Sequence, residues 1–128
     1  MTTQALRNRY VSDSVSTAPP ARLLVMLYDR LVLDLMIAGQ ALEAGDRAVG
    51  SSRVYHAQEI LMELRATLDT SAWSGGPGLA ALYSYMINEL VQCTITGDRA
   101  RVETIQGFAE RLRDAWREAA AQVTGTGP

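Results

Sequence analysis

His56 and Glu59 stand three residues apart, a spacing that brings an imidazole and a carboxylate to one face of a helix and is the half-motif of a di-iron bundle. Such a centre needs a second Glu-x-x-His from another helix, and this chain owns a single histidine, so His56 reads as an ordinary surface residue. Glu59 and Glu63, one turn apart, read as a solvated face, because like charges at that spacing repel. Cys93 is the one thiol and falls on an apolar helical seam, where a thiol is buried and inert. No Gly-x-Ser-x-Gly turn supports a serine nucleophile. The run Ser74-Gly75-Gly76-Pro77-Gly78 is glycine-rich, but it follows no strand and has no phosphate-binding lysine. All twelve basic residues are arginine, which removes lysine chemistry altogether. Nothing here supports an enzyme, a metal centre or a cofactor.

The elements that carry these residues are helices. Leu24, Tyr28, Leu31, Leu35, Ala38 and Leu42 recur at spacings of four and three, the seam of an amphipathic helix. Thr17 caps it, Pro19 and Pro20 fit its first turn, Gly45 closes it and Asp46 starts the next. A second helix is expected over about 48–70, with Val54, Ala57, Ile60, Leu61, Leu64 and Leu68 inward. The 74–78 break precedes a third seam (Leu79, Leu82, Tyr83, Met86, Leu90, Cys93), which ends near Gly97. Val102, Ile105, Ala109, Leu112, Trp116 and Ala119 make a fourth. Helices of this length on short connections give an all-α, antiparallel up-and-down four-helix bundle. The domain reading is an N-terminal arm or short helix over 1–16, the bundle over 17–123 and a disordered tail over 124–128.

At 128 residues, 48% hydrophobic and 20% charged, the chain can bury a core without disulfide or metal. A net charge of −2 gives no general attraction for nucleic acid or an anionic membrane. No purely apolar run approaches the length of a membrane span, and MTTQALRNRY has no cleavable-signal pattern, so the protein is expected in the cytoplasm.

The first long helix carries more apolar surface than one seam needs. At about 100° per residue, Met26, Leu33 and Ile37 fall nearly opposite that seam. Tyr55 and Met62 lie behind the second helix, and Val91 and Ile95 behind the third. An outer apolar surface of this kind marks a partner site, with these seven residues as its candidates. The alternatives are cover by the N-terminal arm or by a second subunit in a self-associating structural bundle.

Several blocks together resemble the FliS family of flagellin secretion chaperones. These are Tyr10, Val15-x-Thr17-Ala18-x-Pro20-x-x-Leu23 and Leu27-Tyr28-Asp29, then Ala57-Gln58-x-Ile60-x-x-Glu63-Leu64-x-x-x-Leu68-Asp69. Leu79-x-x-Leu82-Tyr83-x-Tyr85-Met86-x-x-x-Leu90 follows, and Trp116 closes the last helix. The similarity covers about 10–118. Arg30 stands where the family usually has glycine, Cys93-Thr94 replaces a common Ala-Asn pair, and the 70–78 loop is a variant of its own.

The resemblance implies a chaperone, without nucleotide or cofactor, that wraps the disordered C-terminal segment of flagellin around its bundle. It would prevent premature polymerisation and hand flagellin to the flagellar export gate. It also implies that the arm bearing Tyr10 can cover part of the partner site in the unbound chaperone, a monomer or weak dimer. A chaperone for a different secreted client is the nearest alternative.

Overall fold

Proline lacks the N–H that a helix's first turn leaves unpaired, and Pro20 opens α1, which runs Pro20–Glu43 in the computed structural model. The structure describes residues 20–72 and 74–125. Thr17, Pro19, Val15, Tyr10 and the 1–16 arm therefore lie outside the described residues. At the far end of α1 the Gly45 N–H donates to the Leu42 carbonyl (3.1 Å) and the Asp46 N–H to the Ala41 carbonyl (2.8 Å). This pattern requires a left-handed residue, which Gly45 supplies at φ +82°. Asp46, one residue past the Gly45 turn, then caps the next helix, its Oδ1 accepting from the Val49 N–H at 3.1 Å.

α2 spans Arg47–Thr67 and ends where Leu68 becomes extended (φ −71°, ψ 123°), three residues short of the expected end. No glycine or proline signals that stop in the sequence. α3, Gly76–Thr96, has Pro77 in its first turn, so the glycine-rich break at 74–78 is partly the start of a helix. Gly97 ends α3 at φ +70°, its N–H donating to the Cys93 carbonyl at 2.8 Å. Asp98 Oδ1 accepts from the Ala100 N–H at the start of α4, Arg99–Gly125. The last helix thus continues through Thr124 and Gly125, the first two residues of the expected tail.

The helices form an antiparallel ring in which α1 packs on α2 and α4, α2 on α3, and α3 on α4. The interfaces of α1 are the most extensive and the α3–α4 contact the slightest. Ion pairs at both ends of the α1–α4 seam, Arg99 to Glu43 (3.0 Å) and Arg117 to Asp29 (3.1 Å), mark the opposed directions. Among the described residues there is no strand.

Tyr28, Leu31, Leu35 and Ala38 meet Val54, Ala57, Leu61 and Leu64 inside the ring. Tyr83, Met86, Leu90 and Cys93 and then Val102, Ile105 and Ala109 complete the core. Leu24, Leu42, Leu68, Leu82, Leu112 and Trp116 pack on its margin. This is the pattern read from the four seams.

Candidate binding surface

Because the inner stripes already fill the core, the remaining apolar side chains have nowhere to go but outward. Met26 is 60% exposed, Tyr55 55% and Ile95 67%; Leu33, Met62 and Val91 are exposed as well. Ile37 is different. It is half-buried, which corrects its placement on an open stripe with Met26 and Leu33. Ile37 lies one turn from Asp34, on the edge of α1 that turns toward Arg53 and His56 of α2. α2 comes very close to α1 at this level, where Gly50 faces Leu42 and the Ala38 carbonyl without a side chain between them. Periodicity within α1 alone carries no information on that approach.

The outward residues occupy distinct faces rather than one groove. On α1, Met26 and Leu33 point away from the ring. Leu27 is also exposed, as is Met36 on the side turned toward α4. On α2 and α3 the register is set by two arginines. Arg47 Nη2 donates to the Ile95 carbonyl (2.8 Å), and Arg65 Nη1 reaches Ser84 Oγ (3.3 Å). Both arginines, and Gln58 between them, lie on the α3-facing stripe of α2. Met62 stands at the outer edge of that stripe, whereas Tyr55 joins Arg30 and His56 in lining an open pocket over the α1–α2 side. Val91 shares the α2-facing side of α3 with Ser84, and Ile95 follows one turn on. Three of the seven candidates, Met62, Val91 and Ile95, thereby flank the shallow seam between α2 and α3. Its floor holds Gln58, buried to 8% exposure, whose Nε2 has no hydrogen-bond partner.

A polar cluster ties α1 to α2. Asp34 is wholly buried; its Oδ1 accepts from Arg53 Nη1 at 3.0 Å and its Oδ2 is hydrogen-bonded to His56 Nδ1. His56, its side chain 42% exposed, is thus anchored to α1 rather than free on the surface. The signal available in the sequence was position: Asp34 lies three residues after Leu31 and four before Ala38, at the edge of the buried seam. Beside the cluster, an open pocket of about 720 Å³ is lined by Arg30, Ser51, Ser52, Arg53, His56 and Glu59, among others.

A carboxylate on His Nδ1 is the orienting half of a hydrolytic triad. Among the described residues no hydroxyl or thiol is hydrogen-bonded to the other ring nitrogen. The Cys93 thiol lies across the bundle, its Sγ directed at the Asp98 carbonyl (3.7 Å). Burial pushes that thiol up to about 11, leaving it protonated and unreactive. No cluster of three or more His, Cys, Asp or Glu among the described residues could hold a metal ion.

The motif residues divide between packing and surface. Tyr28 and Tyr83 are buried and share a hydroxyl–hydroxyl hydrogen bond across the core. Burial raises the phenol pKa of both tyrosines, and Tyr83 raises that of Tyr28 further, so both stay neutral. Met86 is core, Leu82, Leu23 and Glu63 are half-buried, and Tyr85 is exposed, its ring edge-to-face with Phe108 at 6.0 Å. Arg111 stacks over that Phe108 ring at 4.8 Å.

A helical bundle with a filled core, outward apolar ridges on three helices and polar groups committed to helix–helix pairing is built to hold another polypeptide. Among the described residues no helix is long and apolar enough to cross a membrane. Comparison with known proteins agrees with that class. The family model for "Flagellar protein FliS" matches residues 2–123. The flagellar secretion chaperone FliS of Bacillus subtilis is 33% identical over 118 residues, covering 90% of this chain and 88% of the relative. That of Salmonella typhimurium is 31% identical over 112 residues, 84% and 82% of the two chains. That of Escherichia coli is 29% identical over 118 residues, 91% and 87%. The chain belongs to the FliS family.

Proposed function

We propose that this protein is a cytoplasmic secretion chaperone for flagellin. It binds the disordered C-terminal region, holds it back from premature polymerisation and assists its delivery to the flagellar export gate. The observation that carries the reading is the exposure of Met26, Leu33, Tyr55, Met62, Val91 and Ile95 around a core that needs none of them. A disordered client that folds onto such ridges gains affinity from apolar burial and loses part of it to ordering, about 2–5 kcal/mol. Helix-in-groove docking is the corresponding geometry. It predicts a negative heat-capacity change and modest salt sensitivity.

The test replaces Met26 and Leu33 together by glutamine and titrates the protein calorimetrically with a C-terminal peptide of the cognate flagellin. Each side chain has roughly half its surface left to bury, about 1 kcal/mol, so the pair should cost about ten- to thirtyfold in affinity. Helical content and melting temperature should stay unchanged. Unfolding of the variant would place the ridge in the core. Retained affinity, with loss of a concentration-dependent dimer in sedimentation, would make the ridge a self-association surface instead.

A further inference from the structure

Gln58 is the one buried side-chain polar atom site among the described residues that the bundle leaves unsatisfied. The amide lies on the stripe of α2 that faces α3. By interpolation between the Arg47–Ile95 and Arg65–Ser84 contacts, it is level with Ile87 and Val91. Ile87 is buried and offers only hydrocarbon. Leaving a buried amide donor unpaired costs about 1–3 kcal/mol, which a leucine or methionine at this position would avoid. The seam above it is flanked by Met62, Val91 and Ile95, all exposed. Arg47 and Arg65 stand at its two ends, about 27 Å apart along the helix. Among the described residues neither has a carboxylate within ion-pair distance: Arg47 is spent on a carbonyl and Arg65 on a hydroxyl.

An unpaired donor asks for an acceptor oxygen, an apolar rim asks for apolar side chains, and two unneutralised cations ask for carboxylates. We infer that the α2–α3 groove seats an apolar segment of the client, flanked by acidic residues, with Gln58 turning its amide outward to donate to one of the segment's oxygens. Gln58 is then a specificity-determining residue whose cost in the unbound chaperone is recovered on binding. The inference rests on the flagellin reading above, and it names the side chain that reads the client's backbone or amide oxygen.

The distinguishing property is a pair of effects of opposite sign. In Gln58→Met, which keeps length and removes both polar atoms, the unbound protein should melt at the same or a higher temperature, while the C-terminal flagellin peptide binds about tenfold more weakly. The second measurement needs no variant. In ¹⁵N-labelled wild-type protein, the Gln58 side-chain amide protons should move downfield and exchange more slowly when that peptide saturates the site. A Gln58→Met protein that melts lower would show that the amide is already satisfied inside the bundle and would overturn the inference. So would unchanged peptide affinity, or amide resonances that do not move at saturation. Failure of the wild type to bind the peptide at all overturns the flagellin reading itself, and this inference with it.

Discussion

Between pH 9 and 12 the side chains of this protein that can lose a proton are unusually few, because the chain has no lysine. They are Cys93 and the tyrosines, and two of those tyrosines are sealed in the core against each other. Burial raises the phenol pKa of Tyr28 and Tyr83 in the native state, whereas an unfolded phenol ionises at about 10. Above that pH the unfolded chain releases protons that the native chain keeps, so stability must fall with rising pH. The stabilising contribution is complete below about pH 10 and is lost as the pH climbs toward the native pKa. A phenol that stays protonated in the native state contributes a slope of about 1.4 kcal/mol per pH unit, so Tyr28 alone removes about 2 kcal/mol by pH 11.5, and Tyr83 acts in the same direction. Cys93, pushed up to about 11, removes roughly a further 2–3 kcal/mol in a window that begins nearer pH 9. Tyr28 and Cys93 together account for a large share of the stability of an ordinary domain.

The perturbation that isolates the phenols is the double variant Tyr28→Phe/Tyr83→Phe. Removing both partners of one buried hydrogen bond costs far less than removing one, so at pH 8 it should lie within about 1 kcal/mol of the wild type. Urea unfolding followed by circular dichroism between pH 8 and 11.5 should then give two curves that cross. The wild type falls steeply above pH 10, while the variant keeps only the shallower decline due to Cys93. Parallel curves would refute the reasoning, because they would mean that these phenols ionise as readily inside the bundle as outside it.

Two packing predictions follow from the α1–α2 interface. Arg53→Met takes a charge-assisted hydrogen bond from a wholly buried carboxylate. Thermal melts should show a loss of about 1.5–3 kcal/mol, partly restored when Asp34→Asn removes the buried charge as well. Gly50→Ala would set a Cβ 2.7 Å from Leu42 Cδ2 and 2.9 Å from its Cγ, an overpacking that should outweigh the gain of about 1 kcal/mol in helix propensity. Gly107→Ala on α4, where nothing lies within 4 Å of the added carbon, should keep that gain and melt higher.

What the chain discloses about itself depends on how local the cause is. The Leu24–Leu42 seam, its counterparts on the other three helices and the Gly45–Asp46 junction are written in spacing and turn chemistry, and the structure follows them. So does the outward placement of six of the seven apolar candidates, since it needs only the angle from the seam. Ile37 departs because it lies one turn from Asp34, at the edge of α1 that α2 approaches, and that approach is decided between two helices. The Asp34–Arg53–His56 cluster and the orphaned Gln58 amide were hidden for the same cause. Each depends on the register between two helices, and no periodicity within one helix fixes that register. Gln58 entered the sequence reading as one position in a motif, with no sign that its donor would be sealed in without an acceptor.

The apolar surface on both sides of α1 poses a problem of specificity that the buried polar groups answer. A helix carrying Leu31 and Leu35 on one face and Met26 and Leu33 on the other can bury either face with similar hydrophobic gain, so burial alone does not choose its rotation. Polar partners do. Tyr28 reaches the Tyr83 hydroxyl, and Asp34 reaches Arg53 and His56, only when α1 presents its present face to the ring. Any large rotation would strand a carboxylate and two phenols, each at a cost that the exchange of one leucine for another does not offset. The same two contacts that seem ill-suited to a hydrophobic core therefore keep Met26 and Leu33 on the outside. A helix with apolar side chains on both faces needs such a device, because otherwise its outer ridge and its inner seam would compete for the same place in the core.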